Sequence, residues 1–499
     1  MTIVLATLNA RYTHASLGLR YLLANLGELQ GQAIILEFVI GRRTGEIVER
    51  LLAQRPRIIG FGVYIWNVVE TTQVVALLKA LAPEITIILG GPEVSYETAD
   101  QPIAGLADHV ITGWGEVTLP LLCRQILSAG HPAGSLPRIQ PGVQAPLANL
   151  ALPYALYSDR DITRRTLYVE ASRGCPFKCE FCLSALDKTA WPFDLDAFLG
   201  EMDALYARGA RRYKFVDRTF NLNVQTSLRI LEFFLAKHEA HPDDPVFAHF
   251  EMIPDHLPEA LKNLIGKFPP GRLQFEIGVQ SWNPQVQALV SRRQDNDRAA
   301  DNIRWLRTHT GVHLHVDLIA GLPGEDMESF ARGFDRLYAL GPHEIQLGIL
   351  KRLRGTTIVR HAENYGLVFD PNPFYAVLAT DRIDFPDMQR LKRFARYWDI
   401  VANSGRFANT LPVLLDDAPF DNFMALSDWL FSTTDATSGI ALDRLATLIG
   451  QRLQTRGCSR ETADALLAND YAGQAPHRRA AGEIRPGLQR RQTRHLAQT

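Results

Sequence analysis

The 499-residue sequence lacks the features that would place it in a membrane, in a secretory pathway or on a nucleic acid. Its formal net charge is −1, from 53 Lys and Arg against 54 Asp and Glu, so no global field favours a nucleic-acid or membrane partner. No apolar run reaches transmembrane length. The first ten residues lack the basic region of a signal peptide and instead predict a buried strand.

Cysteine is also scarce, with five residues in the whole chain. Few, unpaired cysteines agree with a reducing compartment, and we expect a cytoplasmic protein. Three of the five nevertheless fall within eight residues, as Cys175, Cys179 and Cys182 in a C-x3-C-x2-C array. Chance is a poor explanation for that spacing, and thiolates gathered in one loop predict a site for a soft metal.

The number of thiolates restricts the metal. Structural zinc and iron–sulfur cubanes both take four ligands, so three close cysteines imply either a distant fourth ligand or an open iron position. Neither Cys123 nor Cys458 has a partner at motif spacing, which favours the open iron. A zinc site or a redox dithiol remains the alternative, and Cys458 itself is either a buried bystander or a second functional thiol.

The first quarter of the chain alternates short apolar runs with helix-patterned segments, which predicts a doubly wound parallel α/β domain over residues 1–135. In such sheets ligands bind beyond the carboxyl ends of the strands. The loops expected there carry Tyr12 and His14, then Trp66, then Gly90-Gly91-Pro-Glu93, then Gly113-Trp-Gly115-Glu116. A paired glycine after a strand is also an ordinary tight turn, so each loop alone is weak evidence.

A Pro- and Gly-rich stretch predicts an interdomain linker over residues 136–165. Six apolar strand candidates with helical segments between them follow, and these predict a partial (β/α)6 TIM-like barrel over residues 166–355. A mostly helical domain is expected over 356–475, and a basic disordered tail over 476–499.

Polar side chains stand at the ends of the central strands: Asp217, Glu251, Glu276 and Gln280. Within a strand alternate residues share a face, so Glu276 and Gln280 should point together into the barrel. Two structural alternatives stay open. Asp217 is also suited to cap the following helix, and a buried Glu276 is also suited to pair with Arg292 or Arg293.

The cysteine array, with Phe181 before its last cysteine, resembles the radical S-adenosylmethionine (SAM) superfamily, as does the later Ile319-Ala-Gly321-Leu-Pro-Gly-Glu run. The resemblance implies that the three cysteines hold a 4Fe-4S cluster whose fourth iron binds SAM. It also implies that Asp217 meets the SAM amino group, that Glu251, Glu276 and Gln280 lie near the ribose and substrate, and that Phe181, Ile319, Gly321 and Leu350 lie on the SAM side.

The N-terminal loops resemble the Rossmann-like cobalamin-binding domain of cobalamin-dependent radical SAM proteins, through Gly90, Gly91 and Glu93 and through Gly113, Gly115 and Glu116. This implies that these residues, with Tyr12, His14 and Trp66, face cobalamin. The aspartate that would orient a cobalt-ligating histidine is missing two positions before His14, so we expect cobalamin without a histidine ligand. A pocket that no longer binds cobalamin is the alternative.

Together the resemblances imply a radical SAM enzyme that acts on a small molecule by methyl transfer or rearrangement and takes electrons from a donor such as flavodoxin or ferredoxin. Cobalamin-independent hydrogen abstraction, or 3-amino-3-carboxypropyl transfer from SAM to a small or metalloid acceptor, is the first alternative. A cobalamin- or redox-sensing iron–sulfur regulator is the alternative of another class. The C-terminal region resembles an uncharacterised helical extension of such proteins, and we expect it to cap the barrel mouth.

Overall fold

Two parallel six-stranded sheets organise the chain in a computed structural model that describes residues 1–128 and 136–472. The first sheet has the order β2-β1-β3-β4-β5-β6. Its strands β1 to β6 are Ile3–Asn9, Ala33–Val39, Ile58–Gly62, Thr86–Gly90, His109–Thr112 and Ile139–Pro141. Helices α1 to α5 are Leu17–Ala24, Thr44–Leu52, Val68–Leu81, Pro102–Leu106 and Thr118–Leu127. The predicted doubly wound domain is confirmed.

Both faces of this first sheet are buried, which explains why its strands are continuous apolar runs. Alternate side chains of β1 point to opposite faces, so Leu5 belongs to one core while Val4 and Ala6 belong to the other. The sheet extends into the segment predicted as linker, since β6 lies at its edge and Val110 donates its backbone N–H to Arg138. Ile139 on β6 is exposed, so no apolar pattern marked this strand.

In the second sheet, neighbouring strands follow one another in the order of the chain, which confirms the predicted partial (β/α)6 barrel. Its strands are β7, β10, β11, β12, β13 and β14, and a short antiparallel hairpin of β8 and β9 interrupts them. Strands β7 to β14 are Leu167–Val169, Ser172–Arg173, Trp191–Pro192, Arg212–Phe215, Phe247–Met252, Leu273–Gln280, His313–Ala320 and Glu344–Ile349. Helices α6 to α12 are Asp159–Arg164, Leu195–Ala207, Val224–Ala240, Glu259–Ile265, Pro284–Leu289, Asn296–His309 and Met327–Ala339.

The C-terminal region is mostly helical, as predicted. It consists of β15 (Val368–Phe369), β16 (Val377–Ala379) and helices α13 to α17, which are Phe385–Val401, Thr410–Leu415, Pro419–Thr434, Leu442–Thr455 and Arg460–Ala472. None of the helices in the described part of the chain is long and apolar enough to cross a membrane. The predicted disordered tail, 476–499, lies outside the described residues.

The helices α13 and α15 lie along the flank of the barrel, against β14 and α12, where the expectation had been a cap over its mouth. A six-stranded sheet leaves the edge of its last strand unpaired, and the chain satisfies that edge with a side chain. The Asn403 amide accepts from the backbone N–H of Ile345 at 3.0 Å and donates to its carbonyl at 2.9 Å. The open edge therefore decides where the helices pack.

Candidate active site

The cysteine loop leaves the carboxyl end of β7 and is closed at its base by the β8–β9 hairpin. Inside the loop, the backbone N–H of Cys175 donates to the Asp187 carbonyl at 2.8 Å. Gly174 has a φ of +94°, and a Cβ there would stand 2.6 Å from the Thr189 hydroxyl. Only glycine fits that turn, so the loop conformation is fixed directly beside the first cysteine.

Two of the three cysteines are buried, and Cys182 is partly exposed. Burial raises the pKa of the Cys175 thiol to about 11 and also raises the pKa of Cys179. Among the residues that the structure describes, no three His, Cys, Asp or Glu side chains lie close enough to ligate one metal ion.

Glu180, between Cys179 and Phe181, anchors the loop to the rest of the barrel. Its carboxylate accepts hydrogen bonds from Ser291 Oγ at 2.6 Å and from His361 Nε2 at 3.0 Å, and it also pairs with Arg360. Its backbone N–H donates to Val290 at 3.1 Å. Nothing in the local sequence marks this residue, because its side-chain partners Ser291 and His361 lie 111 and 181 positions further along the chain.

The guanidinium of Arg292 contacts the cysteine loop. Its Nη1 lies 3.7 Å from the Cys179 sulfur, and its Nη2 donates to the Gly278 carbonyl. Glu276, for which Arg292 or Arg293 was the expected partner, pairs instead with Lys214 at 3.2 Å. Arg292 itself is directed towards the cysteine loop.

Asp217 is fully buried below the start of the cysteine loop. Its carboxylate accepts the backbone N–H of Ala171 at 3.0 Å and the Ser172 hydroxyl at 2.6 Å, and burial raises its pKa to about 7. The alternative role as a helix cap is wrong, since Asn223 caps α8. Asp217 thus holds the entrance to the loop, and its contact with the SAM amino group stays a prediction.

The other SAM-side candidates lie at the carboxyl ends of β11 to β14. Glu251 pairs with Arg218 at 2.8 Å. Gln280 has a φ of +70° at an irregularity in the β12–β13 pairing, a backbone strain that is common at functional sites. The remaining candidates, Phe181, Ile319, Gly321 and Leu350, lie in or after the neighbouring loops and strands, and Phe181 and Ile319 pack against the barrel core.

The loops of the first sheet have the turns that their glycines predict. Gly91 has a φ of +108°, and a Cβ there would lie 2.5 Å from the Val63 carbonyl. Gly113 also has a positive φ, +76°, and faces open space, whereas a Cβ on Gly115 would meet Leu22. The rings of Tyr64 and Trp66 stack at 4.4 Å near these loops. Gly90 ends strand β4.

The same loops contact the barrel through the two glutamates of the predicted cobalamin motifs. Glu93 accepts from Tyr375 at 2.7 Å and from Arg354 at 3.0 Å. Glu116 accepts from Arg173 at 2.7 Å, two residues before Cys175. Both carboxylates hold the domains together, so a contact of either with cobalamin stays a prediction.

Tyr12 and His14 lie against the barrel as well. The Tyr12 hydroxyl accepts from Arg160 at 2.7 Å, and the His14 ring meets the edge of Tyr168 at 5.7 Å. Burial, with help from Lys214 and Arg11, lowers the pKa of His14 to about 4, so this imidazole is neutral. Tyr12 and His14 therefore lie between the two sheets, at the carboxyl end of strand β1, where cobalamin binding is predicted.

Family models match three successive parts of the chain: B12 binding domain over residues 3–122, Radical SAM superfamily over 169–337, and a protein of unknown function (DUF4080) over 363–471. The chain thus combines a B12-binding domain with a radical SAM domain, and it is homologous to cobalamin-dependent radical SAM methyltransferases.

Among curated proteins, the cobalamin-dependent radical SAM methyltransferase TokK of Streptomyces tokunonensis is 25% identical over 359 residues, which cover 64% of this chain and 51% of TokK. The chain spans about half the length of the first curated relatives that it matches. Among solved structures, the cobalamin-dependent radical enzyme OxsB with aqua-cobalamin bound gives a TM-score of 0.63 at 13% identity and covers 94% of this chain and 84% of OxsB. The methyltransferase TsrM of Kitasatospora setae gives 0.55 at 16% identity, over 75% and 82%. These likenesses show the fold.

Proposed function

We propose that the protein is a radical SAM transferase that binds a 4Fe-4S cluster, SAM and cobalamin and methylates a small molecule. The observation that carries this proposal is the junction of the two loops. Trp114 of the Gly113–Glu116 loop donates to the Asp187 carboxylate at 3.1 Å, and the carbonyl of Asp187 accepts the N–H of Cys175. Asp187 therefore accepts hydrogen bonds both from the predicted cobalamin loop and from the cysteine loop.

Residues in and beside the cysteine loop would have different roles in binding the cluster. Cys175, Cys179 and Cys182 would hold the cluster, and Glu180 fixes the loop between the last two. Arg292 would place a positive charge beside the cluster, which favours its reduced form. The chemistry that these cofactors supply when bound is reductive cleavage of a C–S bond of SAM to a carbon radical, together with carriage of a methyl group.

The N-terminal domain would cover the open side of the barrel and exclude water from the radical. Arg173 stacks on Tyr21 at 4.8 Å and on Trp114 at 4.6 Å while it pairs with Glu116 and Glu170, so the domain contact beside the cluster loop combines ion pairs with aromatic packing. The similarity to TokK, a cobalamin-dependent radical SAM methyltransferase, favours methyl transfer over the other outcomes. A carbon acceptor and a flavodoxin- or ferredoxin-type electron donor belong to this proposal.

Anaerobic reconstitution of the full chain with iron, sulfide, SAM and a low-potential reductant tests the proposal. We expect 5′-deoxyadenosine with the wild type and none with Cys182→Ala, whereas Cys458→Ala, outside the cluster loop, retains the product. Methylthioadenosine in place of 5′-deoxyadenosine would indicate aminocarboxypropyl transfer. Absence of both products would contradict the enzyme assignment and favour the sensor alternative.

Cobalamin binding is tested separately, by the visible spectrum of protein purified from cells supplied with the vitamin. We expect a retained corrinoid, and S-adenosylhomocysteine should form only in its presence. Protein that shows no corrinoid absorbance but forms 5′-deoxyadenosine normally would indicate a pocket that no longer binds cobalamin.

A further inference from the structure

A cleft of about 550 Å³ opens on the outer surface of the barrel, between the short helix α10 and helix α12. Its lining residues differ from those predicted to face SAM, the cluster or cobalamin. One wall is the segment 282–285, which follows β12 and begins α10. The other wall is one face of α12, at the helical spacing i, i+3, i+4 and i+7: Ser329, Arg332, Gly333 and Arg336.

The charged groups of the cleft are positive. Two arginines, Arg332 and Arg336, are the charged residues that line it, and its other polar side chains are amides, a hydroxyl and an indole. Each arginine also pairs with a carboxylate outside the lining, Arg332 with Glu328 and Arg336 with Asp297. The side chains of these carboxylates are 84% and 93% exposed. Exposed pairs contribute little, so an anion in the cleft can take the place of either carboxylate.

Arg336 is held in place by a buried aromatic ring. Its guanidinium carbon lies 4.4 Å from the centre of the Trp282 ring, and Trp282 is only 6% exposed. The carbonyl of Trp282 in turn accepts from the Asn296 amide at 2.8 Å. Stacking keeps the guanidinium plane in one orientation, with its N–H groups at the edge. Because this side chain is already ordered, it loses less conformational entropy when it binds an anion.

The indole of Trp282 carries a donor that the protein does not use. Its Nε1 is buried and has no hydrogen-bond partner in residues 1–128 and 136–472. The adjacent Cδ1 would lie 3.4 Å from a Cβ on Gly333, so the edge that carries Nε1 is directed towards the α12 wall. A buried donor without a protein partner costs stability, and a bound ion is one of the accepted reasons for such a donor.

The two arginines indicate the kind of anion. Arg332 and Arg336 are four residues apart on α12, so their side chains are neighbours on one face of the helix. A guanidinium presents paired N–H donors that match two oxygens of a carboxylate or a phosphate. A volume of about 550 Å³ is typical of sites for whole organic molecules, so this oxyanion would be one end of a larger ligand.

We propose that the cleft between α10 and α12 binds a small organic oxyanion, with Arg332 and Arg336 on its phosphate or carboxylate group and the segment 282–285 along the rest of the ligand. The site is separate from the predicted cofactor sites. The inference therefore goes beyond the proposed function and does not depend on it.

Isothermal titration calorimetry of the full chain tests the inference, under anaerobic conditions and with SAM present to occupy the predicted barrel site. The probes are inorganic phosphate and citrate, each titrated at constant ionic strength with chloride as the balancing anion. We expect one or both to bind at a single site. The affinity should fall roughly tenfold in Arg332→Met and in Arg336→Met, since each loses a charge-assisted hydrogen bond to the probe.

Gln285→Glu is a further variant, which adds a negative charge to the cleft at nearly the same side-chain volume and should also weaken binding. It decides the question if thermal unfolding shows that Arg336→Met is misfolded. The matched control is Arg304→Met, which removes an exposed pair with Asp301 on α11 and should bind as the wild type does.

The two probes distinguish the sources of the oxyanion. Binding of phosphate alone would assign a phosphate-bearing ligand, and binding of citrate alone a carboxylate. Three results would each overturn the inference: no binding of either probe by the wild type, undiminished binding by the folded cleft variants, or an equal loss in Arg304→Met. SAM cleavage decides the proposed function separately, since no step of this titration requires it.

Discussion

The barrel contacts the N-terminal domain through buried ion pairs and the C-terminal helices through aromatic side chains. On the N-terminal side, Arg20 pairs with Glu37 at 3.0 Å and with Asp161 at 2.9 Å, and a small apolar cluster of Tyr21, Leu147, Leu150 and Phe193 supplements such pairs. On the C-terminal side, the ring of Phe334 meets Phe394 at 5.2 Å and Trp398 at 4.8 Å.

The hydrophobic cores also separate the N-terminal domain from the rest of the chain. One core runs from the barrel into the C-terminal helices without interruption, whereas the first sheet has two cores of its own. Polar interfaces between domains are typical of domains that move or separate, and large apolar ones of domains that fold together. The C-terminal helices are thus part of the barrel, and the N-terminal domain is a separate unit held by specific pairs.

The largest effect is expected from Phe394→Ala in the shared core. Loss of a buried aromatic ring should cost about 4 kcal/mol and should weaken barrel strands β13 and β14 as much as α13 itself. Hydrogen exchange with mass spectrometry measures both regions. Phe385→Ala, at an exposed position of the same helix, is the control. Loss of exchange protection in α13 alone would show that the C-terminal helices do not share a core with the barrel.

Arg20→Met should destabilise the N-terminal interface by about 3 kcal/mol, because it removes one of the two arginines, Arg20 and Arg165, that pair with the buried carboxylates of Glu37 and Asp161. Faster exchange is expected in α1 and α6, with β13 and β14 unchanged. Arg42→Met, in an exposed pair with Glu46, should change neither region. Exchange that rises equally in the C-terminal helices would mean that the two interfaces are coupled.

Acid should weaken the Arg20 contact in the wild type. Burial alone would raise the pKa of Glu37, but Arg20 together with hydrogen bonds from Asn9 and the Ser16 backbone holds the pKa below the ordinary 4.5. A carboxyl with a lowered folded pKa contributes fully above its unfolded pKa, and that stability is lost as the pH falls through the folded pKa. The same acid titration should have less effect on α1 exchange in Arg20→Met.

Arg354→Met should weaken the contact at Glu93 by about 2 kcal/mol, the usual worth of a hydrogen bond to a charged group. Burial raises the pKa of Glu93 above 4.5, so the folded state binds this proton more tightly than the unfolded state. The stability that this carboxyl contributes to the folded state should therefore fall as the pH rises through the folded pKa, opposite to that of Glu37. Exchange in residues 91–97, corrected for intrinsic rates, measures both effects, and equal pH responses at the two contacts would contradict the assignment.

The smallest effect is expected at an exposed ion pair on the barrel side of this interface. Arg208 and Asp159 are 3.4 Å apart, and the Asp159 side chain is 96% exposed. Exposed pairs contribute little, so Asp159→Asn should leave exchange in α6 unchanged. A clear loss of protection there would show that the interface depends on surface charges as well as buried ones.

Much of the fold was predictable because its strands are marked by burial. The six barrel strands and the N-terminal alternation were each predicted within a few residues, since two buried faces or one buried face leave a clear apolar pattern. Strand β6 was missed because its side chains are exposed, and the C-terminal helices were misplaced because no local pattern shows which flank of a barrel is open.

The sequence by itself determined the cysteine spacing, the glycine turns beside Gly91 and Gly174, and the alternation that makes the barrel lumen polar. These depend on residues close together in the chain, where backbone geometry decides the outcome. Only the tertiary structure decided which side chains meet: Glu180 with Ser291 and His361, and Glu276 with Lys214. A charged group takes the partner that folding places within about 3 Å, and local sequence carries no record of that choice.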